Sequence, residues 1–246
     1  MSSARHLATD ALILRRIDTG EADRIVWLLT PDRGRLSAFA AGARASRRRF
    51  GGALESFTHL SVELTPPQRG ELWRLVDAQI LDAHASLRES LNAMACASAA
   101  SELMAALAVE GGAHRGHSGH YEVLLAYLRA LAHRPMVASD LYRFLLLALE
   151  TSGVRPMLTK CARCGRSEAT PAEHFDPSEG GRLCGECRPR APGVRPLASP
   201  LLQALRSFEA GQAECSSEAR ALLWDYTQHH LGKPIKSLGL LRELGL

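Results

Sequence analysis

From residue 11 to residue 83, apolar positions come in short runs broken by glycine, proline and aspartate, and within the runs they alternate with polar ones. A period of two marks strands with one buried face. The pattern predicts five strands, over residues 11–17, 24–30, 35–42, 57–65 and 71–82, and so a small Greek-key barrel. One hairpin is defined by its turn. Ile25-Val-Trp-Leu-Leu-Thr30 runs into Pro31-Asp-Arg-Gly34, and Leu36-Ser-Ala-Phe-Ala40 returns, with proline and glycine placed to close the chain reversal. Pro66-Pro-Gln-Arg-Gly70 turns between the last two strands, and residues 43–53 form a polar connection.

Beyond residue 83 the period lengthens. Residues 86–109, 118–133 and 139–152 carry Leu and Ala at helical spacing, each opening near a serine able to cap the first turn. The third segment is apolar on most faces and is expected at the centre of a bundle. Helices resume at Ser199-Pro200, with proline suited to the first helical position, and continue over residues 216–231 and 235–244. The expected class is α+β and multidomain: a barrel domain over 1–83, then a helical domain over 84–246 with a module inserted at about 157–190. The Gly-rich stretch 111–119 separates the first two helices. His114 and His117 within it and His120 just after it are poor metal candidates, because such a loop holds ligands badly.

The inserted module has its own chemistry. Cys161-Ala-Arg-Cys164 and Cys184-Gly-Glu-Cys187 are two C-x-x-C pairs separated by nineteen residues, within the roughly 15–20 that four-cysteine zinc sites use. Gly165 and Gly185 relax the backbone beside the pairs. Four thiolates close a tetrahedral shell and leave no position for water, so one structural Zn²⁺ is expected rather than a catalytic one. A pair of disulfides is the competing reading, but nothing marks the chain as exported. The first residues, Met1-Ser-Ser-Ala-Arg-His, lack a signal-peptide core, and no run of about 18 apolar residues is free of charge. A soluble cytoplasmic protein is therefore expected. Cys96 and Cys215 lie in helical patterns and read as buried small side chains.

Net charge is +4, yet Arg24, Arg33, Arg35, Arg44, Arg47, Arg48 and Arg49 face only Asp32 between positions 24 and 49, giving +6 there and −2 elsewhere. Four thiolates around a divalent ion carry −2, lowering the whole to +2, with Lys160, Arg163, Arg166, Arg182 and Arg188 nearby to compensate. Concentrated arginine at loops and strand ends of a five-stranded barrel fits an oligonucleotide-binding (OB) type fold, which tracks phosphates with cations and stacks bases on aromatics. A solvated charged face is the plain alternative. Trp27, Phe39, Phe50 and Trp73 are the nearby aromatics. Trp27 and Phe39 are expected to be partly buried, and Phe50, inside the arginine loop, to offer a stacking surface.

Catalytic signatures are missing: there is no G-x-x-x-x-G-K-[ST], H-E-x-x-H or G-x-S-x-G, nor the paired motifs of a zinc deaminase. A non-enzyme is expected. A zinc-stabilised protein-interaction scaffold with indirect DNA association and a metal-dependent nuclease remain as alternatives, since carboxylates gathered around two metals leave no short motif.

The order of parts, with Leu12-Ile-Leu-Arg-Arg, Gly20-Glu-Ala-Asp-Arg-Ile-Val-Trp-Leu-Leu-Thr30 and Gly42-Ala-Arg-Ala-Ser-Arg-Arg-Arg-Phe-Gly-Gly-Ala-Leu-Glu-Ser-Phe57, resembles the bacterial RecO family of recombination mediators. Gly153-Val-Arg-Pro ahead of the two cysteine pairs is similar to that family's zinc-bearing members. The resemblance covers most of the chain. It implies a DNA-repair protein that binds single- and double-stranded DNA and anneals complementary strands. With RecR, such a protein helps load recombinase onto DNA coated by single-strand-binding protein. It also implies docking of that coating protein's C-terminal tail on the helical domain, where Arg129, Arg134 and Arg143 are candidate cations, although each is better accounted for as helix surface charge. Location with the nucleoid follows from the same resemblance.

Overall fold

The computed structural model describes residues 6–45, 50–110, 118–135, 137–187 and 194–246. The five strands form: β1 (Leu7–Thr19), β2 (Asp23–Thr30), β3 (Gly34–Ala40), β4 (His59–Thr65) and β5 (Trp73–Asp82). They close into a barrel in the order β1-β2-β3-β5-β4, antiparallel except where β3 meets β5. Closure removes the free edges an open sheet would leave. Alternation decides the inside: Ala11, Ile13, Val26, Leu28, Leu36, Ala38, Leu60, Val62 and Leu64 fill the core. At the β2–β3 turn, the Thr30 hydroxyl donates to the Gly34 carbonyl at 3.1 Å and accepts the Arg33 N–H at 3.2 Å.

Leu12 and Leu29 point outward, in register with each other, yet are fully buried. Helices α1 (Leu91–Leu107) and α2 (Ser118–His133) pack over that part of the barrel. The chain accordingly divides into one compact unit of Met1–Met136 with Ile235–Leu246 and a second of Val137–Pro234, so three helices, these two and the last of the chain, share the barrel's unit although the pattern changes at residue 83. The Ser90 side chain accepts from the Ala93 N–H and caps α1. The helix therefore begins later than residue 86, because Ala85–Arg88 is a 3₁₀ turn and the Ser86 hydroxyl donates to the Ala132 carbonyl instead. The last helix, labelled α6 below, is held to α1 through Glu102, whose carboxylate takes the N–H groups of Lys236 (2.8 Å) and Ser237 (2.9 Å) and the Ser237 hydroxyl. Burial pushes the Glu102 pKa up, but these donors outweigh it and hold the pKa below the usual carboxylate value.

The second unit opens with α3 (Ala138–Thr151), whose Leu141, Tyr142, Phe144, Leu145 and Leu149 are buried. Ser139 is no cap here. It is fully buried, and its hydroxyl accepts the Cys215 N–H at 2.8 Å. A three-stranded sheet follows, ordered β7-β6-β8, from β6 (His174–Asp176), β7 (Gly181–Leu183) and β8 (Arg195–Pro196). Helices α4 (Ser199–Glu209) and α5 (Ser217–Leu231) complete the unit, with Trp224 donating to the Tyr142 hydroxyl at 3.2 Å. The final helix, α6 (Leu238–Glu243), returns to the first unit.

Candidate metal centre and nucleic-acid interface

The four cysteines converge. Sγ atoms of Cys161, Cys164, Cys184 and Cys187 all lie within 4.8 Å of one another, and those of Cys164 and Cys184 are 3.7 Å apart. Zn–S bonds of about 2.3 Å in a tetrahedron place sulfurs about 3.8 Å apart, so the donor set and its spacing fit a four-thiolate metal. Each pair closes a tight turn: the Gly165 N–H donates to the Cys161 carbonyl (2.8 Å) and the Cys187 N–H to the Cys184 carbonyl (2.9 Å). Gly165 has φ of +75°, and a Cβ on Gly185 would meet the Ala172 carbonyl oxygen at 2.9 Å, so both glycines are required. Burial pushes the Cys161 thiol up, but backbone N–H groups of Cys184, Cys164 and Arg163 aimed at its sulfur bring it down to about 6. A thiolate at neutral pH is the form a metal binds.

Arg182 is the buried hub of this module, a role its place among local cations does not reveal. Its side chain is completely buried against an equally buried Glu173. All five guanidinium N–H groups are used: Nε and one Nη reach the Glu173 carboxylate at 2.6 and 2.9 Å, and the remaining bonds go to the carbonyls of Thr159 (2.7 Å), Arg166 (2.8 Å) and Glu168 (2.6 Å). Glu173 in turn accepts from the Thr170 N–H and hydroxyl, and the Thr170 oxygen accepts the Gly185 N–H at 2.7 Å. The ion pair is thus wired to the second cysteine turn. Arg163 and Arg166 lie near enough to the cysteines for their charges to interact, and each also pairs with a glutamate, Arg163 with Glu179 and Arg166 with Glu186. Removing one member of such a pair strands the other charge in the interior. Arg182→Met is expected to cost about 3–5 kcal/mol of unfolding free energy. The double variant Arg182→Met/Glu173→Leu should recover part of that in the same denaturation experiment.

The predicted cationic residues divide three ways. Arg24 is internally engaged: its Nε donates to Asp18 at 2.8 Å and a terminal nitrogen lies 3.7 Å from Glu55. The hydrogen bond from Arg24, with Arg44 and Arg16 nearby, holds the Asp18 carboxyl below its ordinary value. Arg35 pairs with Glu110 at 2.8 Å. Arg33 sits half-buried at the β2–β3 turn, while Arg44 is exposed, 3.9 Å from Asp18. Arg47, Arg48 and Arg49 lie outside the described residues. Phe50 is a correction. It is 2% exposed and packs in the barrel core with Ala53 and Leu54, so it presents no face to a base.

The aromatic surface lies elsewhere. Register places Arg15, Trp27 and Ser37 side by side on the outer face of β1–β3, with Ile17, Ile25 and Phe39 in the next row and Arg74 beyond Phe39 on β5. Trp27 is half-buried, with the guanidinium carbons of Arg15 and Arg35 at 5.3 and 4.7 Å from its ring centroid. Trp27 and Phe39 were expected to be partly buried, and both are.

Comparison with known sequences supplies the lineage. The model for the N-terminal part of recombination protein O matches residues 1–84, and that for the C-terminal part matches residues 88–239. The chain belongs to the RecO family. A DNA repair protein RecO of Anaeromyxobacter dehalogenans (strain 2CP-C) is 42% identical over 244 residues, 95% of either chain. That of Myxococcus xanthus (strain DK1622) is 37% identical over 96% of this chain and 97% of its own. That of Desulforudis audaxviator (strain MP104C) is 34% identical over 97% of both. As a DNA repair protein of the RecO family, the chain combines an OB-like barrel, a helical region and a four-cysteine cluster compatible with a structural metal. Among the described residues no helix is long and apolar enough to cross a membrane.

Arg15 and Arg74 join Arg33 and Arg44 as exposed or half-exposed cations of the barrel. Neither Arg15 nor Arg74 belongs to the dense arginine run. Their signal was the strand alternation that also turns Trp27 outward.

Proposed function

We propose that the chain is a recombination mediator that grips single- and double-stranded DNA through the barrel and the basic 44–49 loop, without reading base sequence. It anneals complementary strands without ATP. With RecR, it helps load recombinase onto DNA coated by single-strand-binding protein, whose acidic C-terminal tail docks on the helical part of the chain. The observation that carries this reading is the Arg15–Trp27–Arg35 stack on the outer face of a closed five-stranded barrel, in a chain whose sequence also concentrates Arg44, Arg47, Arg48 and Arg49 between the third and fourth strands. Cation and aromatic in alternation suit a flexible strand, whose bases stack while its phosphates meet guanidinium groups. The functional division places DNA contact in residues 1–83 and partner docking in 84–246, with one Zn²⁺ holding the shape of the module at about 157–190. No catalytic step is assigned to the chain, and its place of action is the cytoplasm, on the nucleoid.

Annealing is the direct test. Complementary oligonucleotides precoated with single-strand-binding protein should pair in the presence of the purified chain without nucleotide, and faster than with the coating protein alone. Pairing at the rate of the uncatalysed control, with no DNA bound at low salt, would favour an interaction scaffold. Degradation of the strands on adding Mg²⁺ or Mn²⁺ would favour a nuclease.

A further inference from the structure

A carboxylate already sits where the barrel's aromatic face would take a phosphate. Beyond α1 the chain lies along β3: Val109 accepts the Arg35 N–H through its carbonyl at 3.2 Å, and Glu110 forms a parallel bridge with Arg35. The two carboxylate oxygens of Glu110 are then divided between two donors. One accepts from the Arg35 terminal nitrogen at 2.8 Å and the other from the Ser37 hydroxyl at 2.9 Å. A guanidinium and a hydroxyl gripping two oxygens of a planar anion is the arrangement these groups also offer to two oxygens of a phosphate. Arg35 lies at the same time over the Trp27 ring, its guanidinium carbon 4.7 Å from the centroid. Its Nε is buried with no hydrogen-bond partner, a donor that a two-oxygen carboxylate leaves unused. Ser37 and Trp27 are register partners, so phosphate-binding groups and a stacking ring are adjacent on one face.

We propose that Arg35, Ser37 and Trp27 form a subsite for one nucleotide of a single strand, its phosphate on Arg35 and Ser37 and its base on Trp27, and that Glu110 occupies the phosphate position in the free protein. This deepens the DNA-binding reading and rests on it. Binding exchanges one anion for another at Arg35, so Glu110 weakens the site without blocking it. An occupied site also screens the barrel against stray anions, since an entering ligand must bring a base to Trp27 as well as a charge to Arg35.

The experiment compares wild type with Glu110→Gln on a fluorescent oligo(dT) and on a blunt duplex of equal length, over a range of salt. The Glu110 side chain is about one-third exposed, and the glutamine keeps its shape, so the fold is retained, with thermal melting as the check. Glu110→Gln should bind the single strand about three- to tenfold more tightly at low salt, with a salt slope steeper by up to about 0.7, because the Arg35 charge that meets the phosphate is no longer offset by a carboxylate. The gain on the duplex should be smaller, because paired bases are not free to stack. In the Glu110→Gln background, Trp27→Leu should remove most of the single-strand gain. Wild-type binding with no gain in Glu110→Gln overturns the subsite while leaving the DNA-binding reading standing. Equal gains on both DNA forms that persist without Trp27 overturn the base contact. A wild type that binds neither DNA is a failure of the DNA-binding reading itself, and the subsite falls with it.

Discussion

Replacing Cys161 and Cys164 together by alanine is expected to lower the melting temperature by about 10–20 °C, the shift that follows from losing about 5 kcal/mol in a chain of this size, and to leave affinity for single-stranded DNA within about twofold. The first half follows from what the module lacks. Its apolar cluster consists of Leu183 with Cys161 and Cys184, Ala162 and Cys187 packed around it, so most of the side chains that close it are the ligands themselves. Its strands are two or three residues long, too short to stand without a staple. The four sulfurs lie within 4.8 Å of one another, and the hydrogen bond with Cys164, followed by desolvation, pushes the Cys187 thiol up to about 12, so the cluster depends on a metal to take its protons. Chelation of the wild-type protein should match the double alanine variant in differential scanning fluorimetry. The second half follows from placement: the cationic and aromatic groups of the barrel lie in the other compact unit. A variant with wild-type melting that no longer binds DNA would show that the metal serves the nucleic acid and not the fold.

The barrel was legible because its strands carry a two-residue period that burial enforces. Val26 and Leu28 face in while Trp27 faces out, and a slip of one residue would reverse all three. The cysteine pairs were legible because a metal demands four donors at one point, and two short turns leave few spacings that deliver them. Phe50 misled because it sits in a run of arginines, and composition suggested a loop. Its helical spacing to Ala53, Leu54 and Phe57, all buried, was the better guide. Arg182 and Glu173 are nine positions apart and look like ordinary surface charges, since only the fold brings five acceptors around one guanidinium. Glu110 and Arg35 are separated by 75 residues, and their contact depends on where α1 ends. Periodic features are local and survive in the sequence; paired charges depend on tertiary contact and do not.

Reversing Arg47, Arg48 and Arg49 to glutamate is the strongest test of the DNA-binding reading, because these three form the densest run of positive charge in the sequence. Arg24 is committed to Asp18 and Glu55, and Arg35 to Glu110, so a phosphate must displace a carboxylate before either contributes fully. Arg44 faces Asp18 only at 3.9 Å. The triple run has no acidic neighbour between Asp32 and Glu55 in sequence, and Phe50-Gly51-Gly52 follows it. If the three arginines meet three phosphates, their loss should lower the salt slope on single-stranded DNA by about 2, at roughly 0.7 per contact. Reversal adds repulsion, so affinity at 50 mM salt should fall by about a hundredfold or more. Fluorescence anisotropy with a labelled oligonucleotide over a salt series reads both quantities. Arg24→Gln serves as the contrast and should change affinity by less than about threefold, since that guanidinium already has its anions. An unchanged slope in the triple variant would remove the loop from the interface and leave the Trp27 face to account for binding alone.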